Sequence, residues 1–167
     1  MSIALIVLDV DGTMTDGKII YSEQREEIKS FCVKDGLAIA SWIRLGKEVA
    51  IITGRNSKIV ERRAKELGIK HFYQGIKNKR EILERILDEL NLGMESVAAI
   101  GDDLNDSSML KSVGIAFAPR NASKYITKIV DRVLDKDGGD GAVREMIEQL
   151  IVDEKLEEEY LALWDYE

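Results

Sequence analysis

Apolar positions along this chain fall into two kinds of block. Some are short unbroken runs of branched residues; others repeat their apolar residues every three to four positions. Ile3–Leu8 is the first unbroken run, and it suits a strand buried on both faces, as in a parallel sheet. Lys18–Tyr21 and Ile28–Val33 are strand-like runs on either side of the polar Ser22–Glu27, a pattern that predicts a β-hairpin over 18–33. Glu48–Ile52, His71–Tyr73, Val97–Ile100 and Gly114–Phe117 read as further strands, and Ile129–Leu134 as a sixth candidate. Helical periodicity lies between them. One helix runs from a capping Asp35 through Leu45, and a second from Asn56 or Ser57 to Leu67, stopped by Gly68. A third covers Asn78–Leu90 with Ile82, Leu83, Ile86, Leu87 and Leu90 on one face, and a short one covers Asp106–Lys111.

This alternation predicts an α/β fold: a Rossmann-like three-layer sandwich around a mostly parallel sheet, with the hairpin after the first strand. Residues 1–152 read as one domain. Residues 153–167 are acidic with a Leu/Tyr/Trp stripe and read as a helical tail.

Composition narrows the function classes. At 45% hydrophobic and 33% charged residues, a packed core with a polar surface is expected. The 24 Lys+Arg against 31 Asp+Glu give a net charge of −7, and no local basic patch offsets it, so nucleic acid is not an expected partner. The lone Cys32 forms no internal disulfide, and no Cys/His cluster suggests zinc. The run from Ile3 meets Asp9 too soon for a membrane span or a secretion signal, so a cytoplasmic setting is expected.

Ligands of open α/β sheets bind beyond the carboxyl ends of the strands. Asp9 and Asp11 follow the first strand, Thr53 follows the second, Lys79 opens the helix after the third, and Asp102 and Asp103 follow the fourth. Facing carboxylate loops repel unless a cation lies between them, and an oxygen-rich set suits Mg²⁺. Thr53, backbone N–H groups at a helix start and Lys79 suit a phosphate. A carboxylate nucleophile, a metal and a phosphate cradle together point to phosphoryl transfer through an aspartyl-phosphate.

Asp9-Val10-Asp11-Gly12-Thr13, Thr53, Lys79 and Gly101-Asp102-Asp103 with Asp106 resemble, in that order, the four motifs of the haloacid dehalogenase-type phosphatases. Within that superfamily, Asp9–Gly17 (DVDGTMTDG), Phe31–Gly36 (FCVKDG) and Gly139–Glu145 (GDGAVRE) are similar to the 3-deoxy-D-manno-octulosonate 8-phosphate phosphatases. They also resemble relatives acting on nine-carbon 2-keto sugar acid phosphates, and a phosphatase-like domain fused to some acylneuraminate cytidylyltransferases. The resemblance implies a cap-less domain, Mg²⁺ dependence and a homotetramer built partly by the hairpin. It implies Asp9 as nucleophile and Asp11 as general acid and base. Asp9, the Asp11 carbonyl and Asp102 become the metal ligands, and Thr53, Gly54 and Lys79 the phosphate ligands. Arg55, Arg144 and Lys34 are candidates for a substrate carboxylate, which an Arg fork matches.

Spacing supports the cap-less form separately. Neither the 42 residues from Asp11 to Thr53 nor the 26 from Thr53 to Lys79 leave room for a lid domain of at least ~50 residues. Thr13, Ser107-Ser108, Asn121-Ala122 and the acidic tail depart from the family pattern without touching its chemistry. Blander readings compete at single positions. Lys77 and Arg80 are alternatives to Lys79, and Asp106 either caps the short helix or holds Lys79. Gly138, Gly139 and Gly141 are also consistent with a plain helix-breaking loop. A receiver-type signalling domain places an acceptor Asp after its third strand, and none stands there.

Overall fold

The computed structural model describes residues 2–166. Six strands, β1 (Leu5–Leu8), β4 (Glu48–Ile52), β5 (His71–Tyr73), β6 (Val97–Ile100), β7 (Ile115–Ala118) and β8 (Arg132–Val133), pair in parallel in the order β5-β4-β1-β6-β7-β8. Central β1 sends alternate side chains to opposite layers. Ile6 and Leu8 pack with α1 (Val33–Arg44), α2 (Lys58–Leu67) and α5 (Ala142–Asp153) through Ile39, Trp42, Val60, Met146, Ile147 and Leu150. Leu5 and Val7 pack with α3 (Lys79–Leu90) and α4 (Ser107–Leu110) through Leu83, Ile86, Leu87, Met109 and Leu110. Each such side chain contributes roughly 1.5–3 kcal/mol by leaving water, so β1 stays seated only between two helical layers.

Several boundaries differ from the sequence reading, each for a local reason. The hairpin strands shrink to β2 (Ile20–Tyr21) and β3 (Glu27–Ile28), paired antiparallel outside the main sheet. Asp35 is not a cap. Cys32 takes the cap position, α1 starts two residues before Asp35, and the buried Asp35 carboxylate accepts the Arg144 N–H of α5 at 2.9 Å. Burial pushes Asp35 up to about 6, because one backbone donor only partly replaces lost water. Ser57, not Asn56, caps α2 through the Val60 N–H. The short helix after β6 begins as a 3₁₀ turn, Leu104–Asp106, before α4.

The tail docks on its own chain. After α5, a short α6 (Glu157–Ala162) buries Tyr160, and Trp164 Nε1–H donates to Ser41 Oγ at 3.2 Å. The Arg44 guanidinium lies 5.0 Å from the Trp164 ring centre and donates to the Leu163 carbonyl. Ser41 and Arg44 belong to the C-terminal half of α1, which runs back toward the strand starts, away from the edge where Asp9 and Asp102 stand. Trp164→Ala removes a cation–π contact and a hydrogen bond, together about 1–2 kcal/mol. Thermal melts are expected to show a drop of a few degrees, with turnover unchanged.

Candidate active site

The strand connections reverse direction at β1 and β6: β1 leads to β4 on one side, and β6 leads to β7 on the other. The crevice at their carboxyl ends is where an open α/β sheet binds ligands. Asp9 and Asp11 enter it from β1, and Asp102 from β6. Gly12 lies between these loops with φ +92°, and a Cβ there would sit 2.0 Å from Asp102 Oδ2. On its other side Gly138 packs so closely that a Cβ would fall 1.8 Å from the Gly12 carbonyl oxygen, and the Gly139 N–H donates to the Thr13 carbonyl at 2.9 Å. The Gly138-Gly139 turn is therefore a brace behind the Asp9–Thr13 loop. Only side-chain-free residues allow these two backbones and the Asp102 carboxylate to approach this closely.

Lys79 is fully buried. Its ammonium donates to Asp9 Oδ1 at 2.5 Å and to Asp106 Oδ1 at 2.6 Å. Burial works against its charge, but the Asp9 and Asp106 carboxylates outweigh that effect and raise its pKa. Two of its three protons are committed to these partners, and one remains for a ligand oxygen. The other Asp106 oxygen accepts the Asp102 and Asp103 N–H groups at 3.0 and 3.3 Å. Asp106 is thus the holder of Lys79. Asp103 caps the turn through the Leu104 N–H.

Asp9, Asp11, Thr53, Gly54, Arg55, Asp102, Asp103 and Asn105 line a cleft of about 210 Å³. Thr53 is buried at the end of β4, and its backbone is tied to Tyr73 and Ile76, which fixes the turn into Gly54. Arg55 pairs with Glu27 Oε1 at 3.3 Å and reaches the Tyr21 hydroxyl at 3.5 Å, while its Nη1 is buried without a partner. Lys34 and Arg144 stand apart from the cleft. Lys34 is exposed in the first turn of α1, and Arg144 pairs with Glu148 on α5. Two residues at the site escaped the sequence reading. Lys29 contacts Asp11, and Asn105 lines the cleft. The charged Glu27 and Lys29 flanking Ile28 were the available signal, since alternate strand residues share a face.

Oxygen atoms of Asp9, Asp102 and Asp106 lie within 4.8 Å of one another. Three carboxylates against one ammonium leave a surplus of negative charge. Burial, and then the charge of Asp9, push Asp102 up to about 8. A hard oxygen-binding cation fits this donor set, and Asp9 and Asp102 are the carboxylates free to hold it.

A haloacid dehalogenase-like hydrolase family model matches residues 74–147. The 3-deoxy-D-manno-octulosonate 8-phosphate phosphatase of Salmonella typhi is 42% identical over 151 residues, covering 90% of this chain and 80% of that protein. The chain belongs to this phosphatase family within the haloacid dehalogenase-like hydrolases. Its structure is similar to that of the Moraxella catarrhalis phosphatase in complex with magnesium, phosphate and KDO, with a TM-score of 0.94 and 37% identity over 98% of this chain and 94% of that one. The cobalt-bound Haemophilus influenzae phosphatase matches with a TM-score of 0.89 and 37% identity over 92% and 90%.

Metal must displace the proton that Asp102 holds below about pH 8. Binding of Mg²⁺ near neutral pH is expected to release close to one proton, and affinity to rise about tenfold per pH unit before levelling above about pH 8. Calorimetry in buffers of different ionisation enthalpy measures both; a pH-independent affinity contradicts the assignment.

Proposed function

We infer that this protein is a magnesium-dependent phosphatase that hydrolyses 3-deoxy-D-manno-octulosonate 8-phosphate to the sugar acid and phosphate. The observation that carries the reading is the cleft in which Asp9, held by Lys79, faces Asp11, Thr53 and Asp102, in a chain 42% identical to phosphatases of that name.

Asp9 supplies the nucleophile. Its Oδ1 is fixed by Lys79, leaving Oδ2 to attack phosphorus as the bond to the sugar oxygen breaks. Asp11 gives its proton to that oxygen, then takes one from the water that cleaves the aspartyl-phosphate. The third Lys79 proton, the Thr53 hydroxyl and the Gly54 N–H meet the phosphate oxygens. Asp9, the Asp11 carbonyl and Asp102 hold the magnesium ion, which when bound neutralises charge shared by phosphate and carboxylates. The unpartnered Arg55 Nη1 takes the substrate carboxylate. Replacing Asp9 by Asn leaves an amide that is no nucleophile. Turnover and trapped phosphoenzyme are both expected to vanish in rapid-quench assays, and near-normal rates with deamidation excluded would refute the covalent route.

The reading includes a cytoplasmic homotetramer. No helix among the described residues is long and apolar enough to cross a membrane, and Cys32 is a free thiol. The hairpin exposes Ile19, Ile20, Tyr21 and Ile28, with Tyr21 62% exposed, and Val33 and Leu37 on α1 are exposed as well. Pairing hairpins of neighbouring copies covers the hairpin residues and narrows an open cleft that has no lid domain. Light scattering is expected to give four subunits. Arg55→Ala is expected to raise KM for the sugar acid phosphate at least tenfold while leaving KM for p-nitrophenyl phosphate, which lacks a carboxylate, nearly unchanged. A monomer with full activity would contradict the homotetramer, and equal KM effects on both substrates would contradict the role of Arg55.

A further inference from the structure

The hairpin has an inner face as well as an outer one. On β3, Ile28 points out, while Glu27 and the next inward residue, Lys29, turn toward the cleft. The Lys29 side chain is 1% exposed, although it carries an ammonium. That ammonium donates to Asp11 Oδ1 at 2.5 Å and pairs with Glu27 Oε1 at 3.2 Å; Glu27 in turn pairs with Arg55. A chain of four alternating charges, Asp11–Lys29–Glu27–Arg55, therefore links the hairpin to two residues of the cleft.

Lys29 is not among the residues that line the cleft, and its hydrogen bond goes to the Asp11 carboxylate. Its effect must pass through Asp11. A free aspartate carboxylate rotates about its terminal torsion, a broad twofold well that does not select one oxygen. Lys29 removes that freedom. Oδ1 is pinned, Oδ2 has no hydrogen bond among the described residues, and Asp11 lines the cleft. We propose that Lys29 is a positioning residue that presents Asp11 Oδ2 to the sugar oxygen leaving phosphorus. This role rests on the reading of Asp11 as general acid and gives the hairpin a duty in its own subunit.

The reaction offers a readout that a purely structural lysine would not move. A sugar alkoxide must be protonated as the P–O bond breaks, whereas p-nitrophenolate leaves without a proton. General-acid catalysis supplies typically 10²–10⁴-fold, so loss of its alignment should remove a measurable part of that from one substrate only. In rapid-quench experiments with Mg²⁺ present, Lys29→Met is expected to slow phosphoenzyme formation from the sugar acid phosphate at least tenfold. Formation from p-nitrophenyl phosphate should stay within about twofold of wild type, with KM for the sugar phosphate little changed and the same light-scattering mass. Lys29→Gln keeps an N–H donor on a shorter stem and is expected to show the same split at about threefold. It carries the test should the Met variant fail to fold. Equal slowing with both substrates, or unaltered phosphorylation by the sugar phosphate, would overturn the role. A wild type that forms no phosphoenzyme would overturn the reading beneath it, a result that needs no variant.

Discussion

Everything at the carboxyl edge of the sheet answers to one electrostatic problem, the crowding of Asp9, Asp102 and Asp106 around the buried Lys79 ammonium. Two carboxylates about 5 Å apart repel by roughly 3 kcal/mol at an effective dielectric of about 20. One ammonium cannot cancel three such charges. The remainder is met by a proton on Asp102 or by a divalent cation, and the two compete for one place. Asp9 also pins the register of β1. Both faces of that strand are apolar, so hydrophobic burial alone tolerates a one-residue slip. A slip would carry Asp9 away from Lys79 and leave a buried carboxylate without its partner, a loss on the order of 3–5 kcal/mol.

The remaining loops are arranged to keep this cluster rigid. Asp106 spends one oxygen on Lys79 and the other on the backbone that positions Asp102, so one side chain fixes both the cation and the metal-facing loop. The Gly138-Gly139 turn supports the Asp9–Thr13 loop from behind, and the paired Arg120 and Asp137 hold the base of that turn, 2.9 Å apart at closest. The contact of Gly138 and Gly139 with Gly12 and Thr13 joins segments more than a hundred residues apart.

The hairpin has two unlike faces. Its isoleucines and Tyr21 face outward, where only another surface can cover them, and its charged residues face inward to Asp11 and Arg55. The exposed apolar face and the charged face that meets Asp11 and Arg55 belong to one element. The acidic tail is engaged elsewhere, stapled by Trp164 to the end of α1 remote from the cleft.

Sequence alone determined the layer order, because unbroken branched runs and 3.6-residue periodicity leave few ways to bury both kinds of surface. It also placed Asp9, Asp11, Thr53, Lys79 and Asp102 together, since a parallel sheet brings all its strand ends to one edge. Local signals misplaced the start of α1, where Asp35 reads as a cap but is drawn inward by the Arg144 N–H of a helix far along the chain. They were silent on Lys29, whose partner Asp11 is 18 residues away across the hairpin. They could not choose among roles for Asp106 or tell which of Arg55, Lys34 and Arg144 lines the cleft. Those choices depend on which charges share a buried volume. Periodicity reports only which face a residue occupies; the packing of distant segments decides which groups lose water together and must satisfy one another.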